Sequence, residues 1–85
     1  MHVYKITISK VAQKQLDKLQ DSLAERLITA IYTLMNNPRP AGYKKLKGRD
    51  AYRIRSGDYR IIYEIFDNIL VINVVAIGHR KDIYN

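Results

Sequence analysis

Three arginines lie close together in one stretch of alternating sequence, and their side chains suit the chemistry of phosphate groups. They are Arg53, Arg55 and Arg60, within the segment AYRIRSGDYRIIYEI that covers residues 51–65. A guanidinium group stays charged in a protein and donates paired hydrogen bonds to the oxygens of one phosphate. The three side chains could therefore grip a phosphodiester, but they are poor bases because an arginine in a protein keeps its proton.

Cleavage of RNA without a metal is a reaction that such residues could support. Attack of a 2′-hydroxyl on the neighbouring phosphate needs a base, cations for the charge that accumulates on the phosphate oxygens, and an acid for the departing 5′-oxygen. His79 and Tyr84, near the end of the chain, are candidates for proton transfer, because imidazole titrates near neutrality and cationic surroundings make a phenol more acidic. Each also has a structural interpretation: His79 as a strand-end histidine bonded to backbone, and Tyr84 as a ring packed over the edge of a sheet.

The alternation of residue types around the arginines predicts a β-hairpin. Apolar and polar side chains alternate on both sides of Ser56 and Gly57, which we predict to be the two residues of the turn. With that turn, Arg53 lies opposite Arg60, and one face of the hairpin is apolar while the other carries the arginines. Like charges that face each other repel, so an anionic partner would explain the arrangement, although the side chains could also splay apart in solvent.

The excess positive charge is concentrated in about a quarter of the chain. The formal net charge is +7, and residues 39–60 contain eight basic and two acidic residues, which leaves only +1 for the rest. A concentrated basic patch is the footprint expected for a phosphate backbone, and an acidic protein surface would satisfy the same charge. Besides the arginines of the hairpin, the cations that we predict to hold RNA are Lys44, Lys45, Lys47 and Arg49.

The residue types that the sequence lacks exclude several classes of function. There is no cysteine, which removes disulfides, thiolate catalysis and cysteine-bound zinc. The two histidines, His2 and His79, lie far apart without a carboxylate cluster, so we expect no metal. Glycine-rich phosphate loops are absent, so we expect no small-molecule cofactor. Without a transmembrane-length apolar run or a signal peptide, we expect a cytoplasmic protein and no membrane partner.

The segments around the hairpin are predicted to form its scaffold. Val3–Ile8 favours a first strand, Ser9 is a suitable N-cap for a helix over Lys10–Gln20, and Asp21 is a suitable cap for a second helix. Pro38 and its neighbours end that second helix. After the hairpin, a turn and a nearly continuous apolar run predict a last strand that is buried on both sides.

The length of 85 residues is that of one domain. We predict an α+β fold with the order β-α-α-β-β-β, in which an antiparallel sheet packs against a two-helix hairpin.

Four stretches of the sequence carry a family resemblance: Leu46-Lys47-Gly48, Tyr52-Arg53-Ile54-Arg55, Gly57-Asp58-Tyr59-Arg60-Ile61-Ile62-Tyr63 and Gly78-His79-Arg80-Lys81-Asp82-Ile83-Tyr84. With these stretches the chain resembles toxins of the RelE/ParE superfamily from bacterial and archaeal toxin-antitoxin pairs, and most closely the RelE branch. Length and element order agree from end to end, so the resemblance implies a single RelE-like toxin domain over residues 1–85.

The resemblance implies an endoribonuclease that enters the ribosome, cleaves messenger RNA in the decoding site and so inhibits translation. Its implied partners are the ribosome, messenger RNA and a cognate antitoxin, RelB-like or of another family. An acidic extended segment of that antitoxin could cover the arginines and block RNA.

The resemblance also implies a role for each matching residue. Arg53 and Arg55 match a basic pair that binds RNA and is assigned base chemistry, and Arg60 matches the arginine that stabilises the phosphate. Arg80 matches an arginine assigned as the acid, and Tyr84 matches a tyrosine that stacks on a base.

The chain departs from the family pattern at position 55, where a lysine could in principle be a base but Arg55 cannot readily be one. Either His79 takes over this role, or the reaction relies mainly on positioning and charge. Two alternative functions remain open: a ParE-type non-enzymatic inhibitor of DNA gyrase, and a basic RNA-binding module that leaves RNA uncut.

Overall fold

The protein is described by a computed structural model that covers residues 3–81 of the chain. Two helices pack on one face of a five-stranded sheet. The elements are β1 (Lys5–Ile8), α1 (Lys10–Asp17), α2 (Asp21–Thr33), β2 (Lys44–Lys45), β3 (Tyr52–Ser56), β4 (Tyr59–Phe66) and β5 (Val71–His79). The predicted α+β fold is confirmed, with the short strand β2 added ahead of the predicted hairpin.

The sheet has the strand order β1-β5-β4-β3-β2. Strands β2 to β5 pair as an antiparallel meander, whereas β1 pairs with β5 in parallel. The prediction of an antiparallel sheet is therefore wrong for this one pair. A parallel pair needs a long crossover, and two helices and three strands separate β1 from β5 along the chain.

The start of each helix follows from its local sequence. The Ser9 hydroxyl accepts a hydrogen bond from the Ala12 N–H at 3.1 Å, which confirms the predicted N-cap of α1. For α2 the N-cap is Gln20, without a side-chain hydrogen bond, so the prediction of Asp21 is wrong by one residue. Asp21 instead lies in the first turn, where its negative charge interacts favourably with the positive end of the helix dipole.

The two faces of the sheet differ in what covers them. The helix face forms the main core, where Leu27 and Ile31 of α2 pack with Ile61 and Tyr63 of β4. The open face, on the other side, carries a small apolar cluster. Its members are Leu46, Ala51, Ile62, Val75 and Ala76. This cluster holds the segment between β2 and β3 against the open face.

The turn of the hairpin lies one residue later than predicted. Gly57 and Asp58 form it, since Ser56 faces Tyr59. Gly57 has a φ of +59° at the first central position, as a type II′ turn requires. Each residue of β4 therefore faces a residue of β3 two positions later than predicted. Because side chains alternate faces with a period of two, the predicted assignment of side chains to the two faces is confirmed. The predicted pairing of Arg53 with Arg60 is wrong, because Arg60 faces Arg55.

A β-bulge interrupts the pairing of β4 with β5. Ile62 faces Ala76 while Tyr63 faces Val74, so Val75 is an extra residue on β5. As a result Val75 and Ala76 both pack against the open-face cluster, while Val74 and Ile77 belong to the main core.

Candidate nucleic-acid interface

The three arginines of the hairpin converge on the open face of the sheet. Arg55 on β3 and Arg60 on β4 face each other directly, and Arg53 lies two residues before Arg55 on the same face. Partial burial and then the charges of Arg55 and Arg60 lower the pKa of Arg53 below its usual value. These three residues, called the arginine cluster below, are therefore close enough to act on a single phosphate-bearing ligand.

The basic segment before the hairpin extends the arginine cluster across a third strand. Lys44 on β2 faces Arg53, and Lys45 faces Tyr52. Lys47 and Arg49 are exposed in the segment that follows β2. The buried Leu46 lies between these lysines and packs with Ile62 on the open face, which keeps the segment beside the cluster.

Two ion pairs lie outside this group of cations, one between Arg39 and Asp67 and one between Arg80 and Asp58. No carboxylate of residues 3–81 is within ion-pair distance of Lys44, Arg53 or Arg55. Lys44, Arg53 and Arg55 are therefore suited to bind an anion from outside the chain.

His79 lies on the helix face, on the other side of the sheet from the arginine cluster. It faces Tyr59 on β4, and the two rings meet edge to face with their centroids 5.5 Å apart. Tyr59 packs against the main core. The Nδ1 atom of His79 accepts a hydrogen bond from the backbone N–H of Lys81 at 3.2 Å. The structure thus does not bring this imidazole together with the three arginines.

Arg80 lies beside the tip of the hairpin. Its backbone N–H donates to the Asp58 carbonyl at 2.8 Å, and its Nε atom is 4.0 Å from a carboxylate oxygen of Asp58. Both side chains are largely exposed, so this ion pair contributes little to stability. Tyr84, the other predicted site residue near the C-terminus, lies outside the described residues.

Arg39, which the charge count places in the basic stretch, has a structural role at the other end of the sheet. Its guanidinium donates to both carboxylate oxygens of Asp67, at 2.7 and 3.3 Å, and the Tyr4 hydroxyl donates to the same carboxylate at 2.6 Å. The bonds from Arg39 and then Tyr4 lower the pKa of Asp67. The charge of Arg39 is therefore neutralised by Asp67, so the basic surface contains fewer residues than the charge count over residues 39–60 suggests. No local pattern could have revealed this pair, because 28 residues separate its members.

Residues 3–81 contain no group of three or more histidine, aspartate or glutamate side chains that could hold a metal ion. Over the same residues, no helix is long and apolar enough to cross a membrane.

Known proteins resemble this chain over nearly its whole length. The family model described as ParE toxin of type II toxin-antitoxin system, parDE, matches residues 6–84. The mRNA interferase toxin RelE of Escherichia coli is 31% identical over 81 residues, which cover 92% of this chain and 84% of that protein.

Solved structures show the same similarity in three dimensions. The archaeal RelE-RelB complex from Pyrococcus horikoshii has a chain that superposes with a TM-score of 0.82 at 30% identity, covering 95% of this chain and 99% of that one. The intact E. coli RelBE toxin-antitoxin complex gives a TM-score of 0.75 at 31% identity, covering 89% of this chain and 95% of that one.

Proposed function

The chain belongs to the RelE branch of the RelE/ParE superfamily of type II toxins, and on this basis we propose that it is a ribosome-dependent messenger-RNA endonuclease. The observation that carries the proposal is the arginine cluster, in which three guanidinium groups share one open face, and in which Arg53 and Arg55 have no carboxylate of residues 3–81 within ion-pair distance. The relative from E. coli that is named an mRNA interferase supports the choice of substrate.

In the proposed reaction, the RNA lies on the open face with the scissile phosphate over Arg55 and Arg60. The 2′-oxygen attacks the phosphorus and loses its proton to water, the bond from phosphorus to the 5′-oxygen breaks, and the 5′-oxygen takes up a proton from water, which leaves a cyclic phosphate and a 5′-hydroxyl. The paired guanidinium groups stabilise the negative charge that develops on the phosphate oxygens. Removing one such donor from a site of this kind costs about 100- to 1,000-fold in rate.

Proton transfer is the step for which the arginine cluster is least suited, because arginine retains its proton. The position of His79 on the helix face, with Nδ1 bonded to backbone, supports the version of the reaction that relies mainly on positioning and charge. By the family resemblance, Arg80 stands at the position assigned as the acid, where its charge neutralises the leaving oxygen, and Tyr84 stacks on a base of the substrate.

The proposed partner in the resting state is a cognate antitoxin. The similar toxins from P. horikoshii and E. coli are solved as complexes with RelB. An acidic extended segment would pair with the arginine cluster and with the exposed Lys47 and Arg49, and so exclude RNA. Action on the ribosome would require a cytoplasmic location, which is part of the proposal.

The proposal is tested by incubating the purified chain with one messenger RNA, both naked and in ribosomes with an empty decoding site, and mapping every new RNA end. We expect cuts only on the ribosome, and their loss in Arg60→Ala. Lys5→Ala is the matched control, because Lys5 is an exposed cation that faces Val71 far from the cluster. His79→Ala should keep most of the activity if charge and positioning dominate. The absence of cuts in both settings would refute the nuclease function.

An effect on DNA gyrase is the second candidate, because the matching family model is named for ParE. Expression in cells separates the two. Translation arrest with cleaved messages favours the nuclease, whereas a DNA-damage response with intact messages favours the inhibitor. Binding of RNA with neither effect would indicate a module without activity.

A further inference from the structure

A cleft of about 470 Å³ lies along the outer edge of β3, between that strand, α2 and the loop before β2. Apolar side chains form part of its wall, including Ala30 of α2, Pro40 of the loop and Ile54 of β3. The cations that line it are Lys44, Arg53 and Arg55. We call it the edge cleft.

The composition of the edge cleft suits a phosphate group joined to an apolar or aromatic group. No aspartate or glutamate is among its lining residues, so its three cations give it a uniformly positive rim. The Leu46 N–H donates to the Ala51 carbonyl, so the backbone polar groups of Ala51 point to this edge of β3. Because their direction alternates along a strand, the backbone polar groups of Arg53 and Arg55 point to the same edge. The pairing with β2 ends at Arg53, and the amide of Arg55 therefore faces the cleft, where it can donate to a phosphate oxygen.

The edge cleft is continuous with the arginine cluster, because Arg53 and Arg55 contribute to both. Further along the open face, towards β1, the surface changes character. There Thr7 donates to Asn73 at 2.8 Å, and Asn73 donates to Glu64 at 3.1 Å. This polar row has a carboxylate and does not favour a phosphate backbone. An RNA strand bound by the arginine cluster therefore meets positive charge at the β3 edge and the Glu64 carboxylate in the direction of β1.

We propose that the edge cleft binds the nucleotide next to the scissile phosphate, with the phosphate of that nucleotide on Lys44 and its base or ribose against Ala30, Pro40 and Ile54. The inference rests on the proposed endonuclease function and adds a direction to it: single-stranded RNA crosses β4 and β3 and leaves the open face over the β3 edge. Lys44 acts here as a substrate-binding residue that does not touch the reacting atoms.

The test uses messages in which one phosphate near the cleavage point is replaced by a neutral methylphosphonate, with the scissile linkage and its 2′-hydroxyl unchanged. Cleavage is measured on programmed ribosomes with the full chain. For wild-type protein we expect one adjacent linkage at which the replacement raises KM by about tenfold, the value of one charge-assisted contact, with kcat unchanged. Lys44→Ala should raise KM by the same factor, and the methylphosphonate should then cause no further loss.

Two variants separate this site from a general effect of charge. Lys45→Ala removes the same charge from the neighbouring residue, which faces Tyr52 and does not line the edge cleft. With Lys45→Ala, the methylphosphonate should still raise KM by the same factor as with wild-type protein. Ala41→Trp fills the cleft from an exposed position without changing the charge, and it should raise KM as Lys44→Ala does.

The outcomes distinguish this inference from the function on which it rests. If wild-type protein cleaves the unmodified message but Lys44→Ala leaves the penalty of every adjacent methylphosphonate unchanged, the edge cleft is not the subsite and the endonuclease function stands. If wild-type protein cleaves no message on the ribosome, the endonuclease function fails and the subsite fails with it.

Discussion

Replacing Arg55 by glutamine is expected to make the protein more stable and less active at the same time. Arg55 is exposed, faces Arg60 across the hairpin and lies two residues from Arg53 on the same face. The positive charges of the arginine cluster therefore repel each other, and this repulsion destabilises the sheet when no anionic ligand is bound. Glutamine retains hydrogen-bonding capacity at this position but removes the charge.

The size of the gain follows from the positions of the charges. Residues that face each other, or lie two apart on one face, have Cβ atoms about 5–7 Å apart, and about 6 Å is taken as the separation of their charges. In water each such pair repels by about 0.7 kcal/mol, so the two pairs of Arg55 cost about 1.4 kcal/mol before screening. Screening leaves about 1.1 kcal/mol at 10 mM salt and about 0.2 kcal/mol at 1 M. For a domain of this size the expected rise in Tm is about 6 °C at low salt and about 1 °C at high salt.

The assay is thermal unfolding of both proteins across this range of salt, followed by cleavage on ribosomes. Activity of Arg55→Gln should fall about 100-fold, because one donor to the developing phosphate charge is lost. Lys5→Gln is the control, since Lys5 faces Val71 and should show no gain that shrinks with salt. A Tm that falls in Arg55→Gln, or a gain that is independent of salt, would refute the reasoning about repulsion within the cluster.

Three further predictions concern the scaffold. The buried Tyr63 hydroxyl donates to the Pro38 carbonyl at 2.7 Å, so Tyr63→Phe should lower the free energy of unfolding by about 1–2 kcal/mol in urea titrations. Burial raises the pKa of Tyr63 to about 12, so wild type should lose stability as the pH rises from about 10 to 12, and the variant should lack this loss. The hydrogen bond from Arg39 lowers the pKa of Asp67. The stability that the Asp67 carboxylate contributes is therefore complete above about pH 4, its pKa in the unfolded chain, and is lost as the pH falls through its lower pKa in the folded protein. Denaturation curves of Asp67→Asn and wild type should differ at pH 7 and converge in acid. Gly57 has a φ of +59°, so Gly57→Ala should cost about 1–2 kcal/mol and Gly57→Asn less, and equal Tm values for the two variants would contradict the assigned turn conformation.

The features predicted correctly are those that depend on neighbouring residues. Ser9 caps a helix because its hydroxyl reaches an amide three residues later. α2 ends at Thr33, ahead of Pro38, whose missing amide donor makes it a residue that a helix does not run through. The arginines share one face because side chains alternate along a strand, whichever residues form the turn.

The features predicted wrongly, or missed, depend on contacts between distant segments. Both Ser56-Gly57 and Gly57-Asp58 are acceptable turn sequences, and local chemistry does not choose between them. The bulge at Val75 has no marker in a run of apolar residues. Arg39 counts as a free cation in any sum over the sequence until Asp67 is brought beside it.

The candidate site divides along the same line. Residue types and their period of two establish that a cationic face exists and that Arg53, Arg55 and Arg60 belong to it. Strand register then selects which of these charges oppose each other, and the pairing of β4 with β5 puts His79 beside Tyr59 on the helix face. Alternation is a property of one strand and can be read from it, whereas register and pairing are chosen by the packing of the whole sheet, which no single segment encodes.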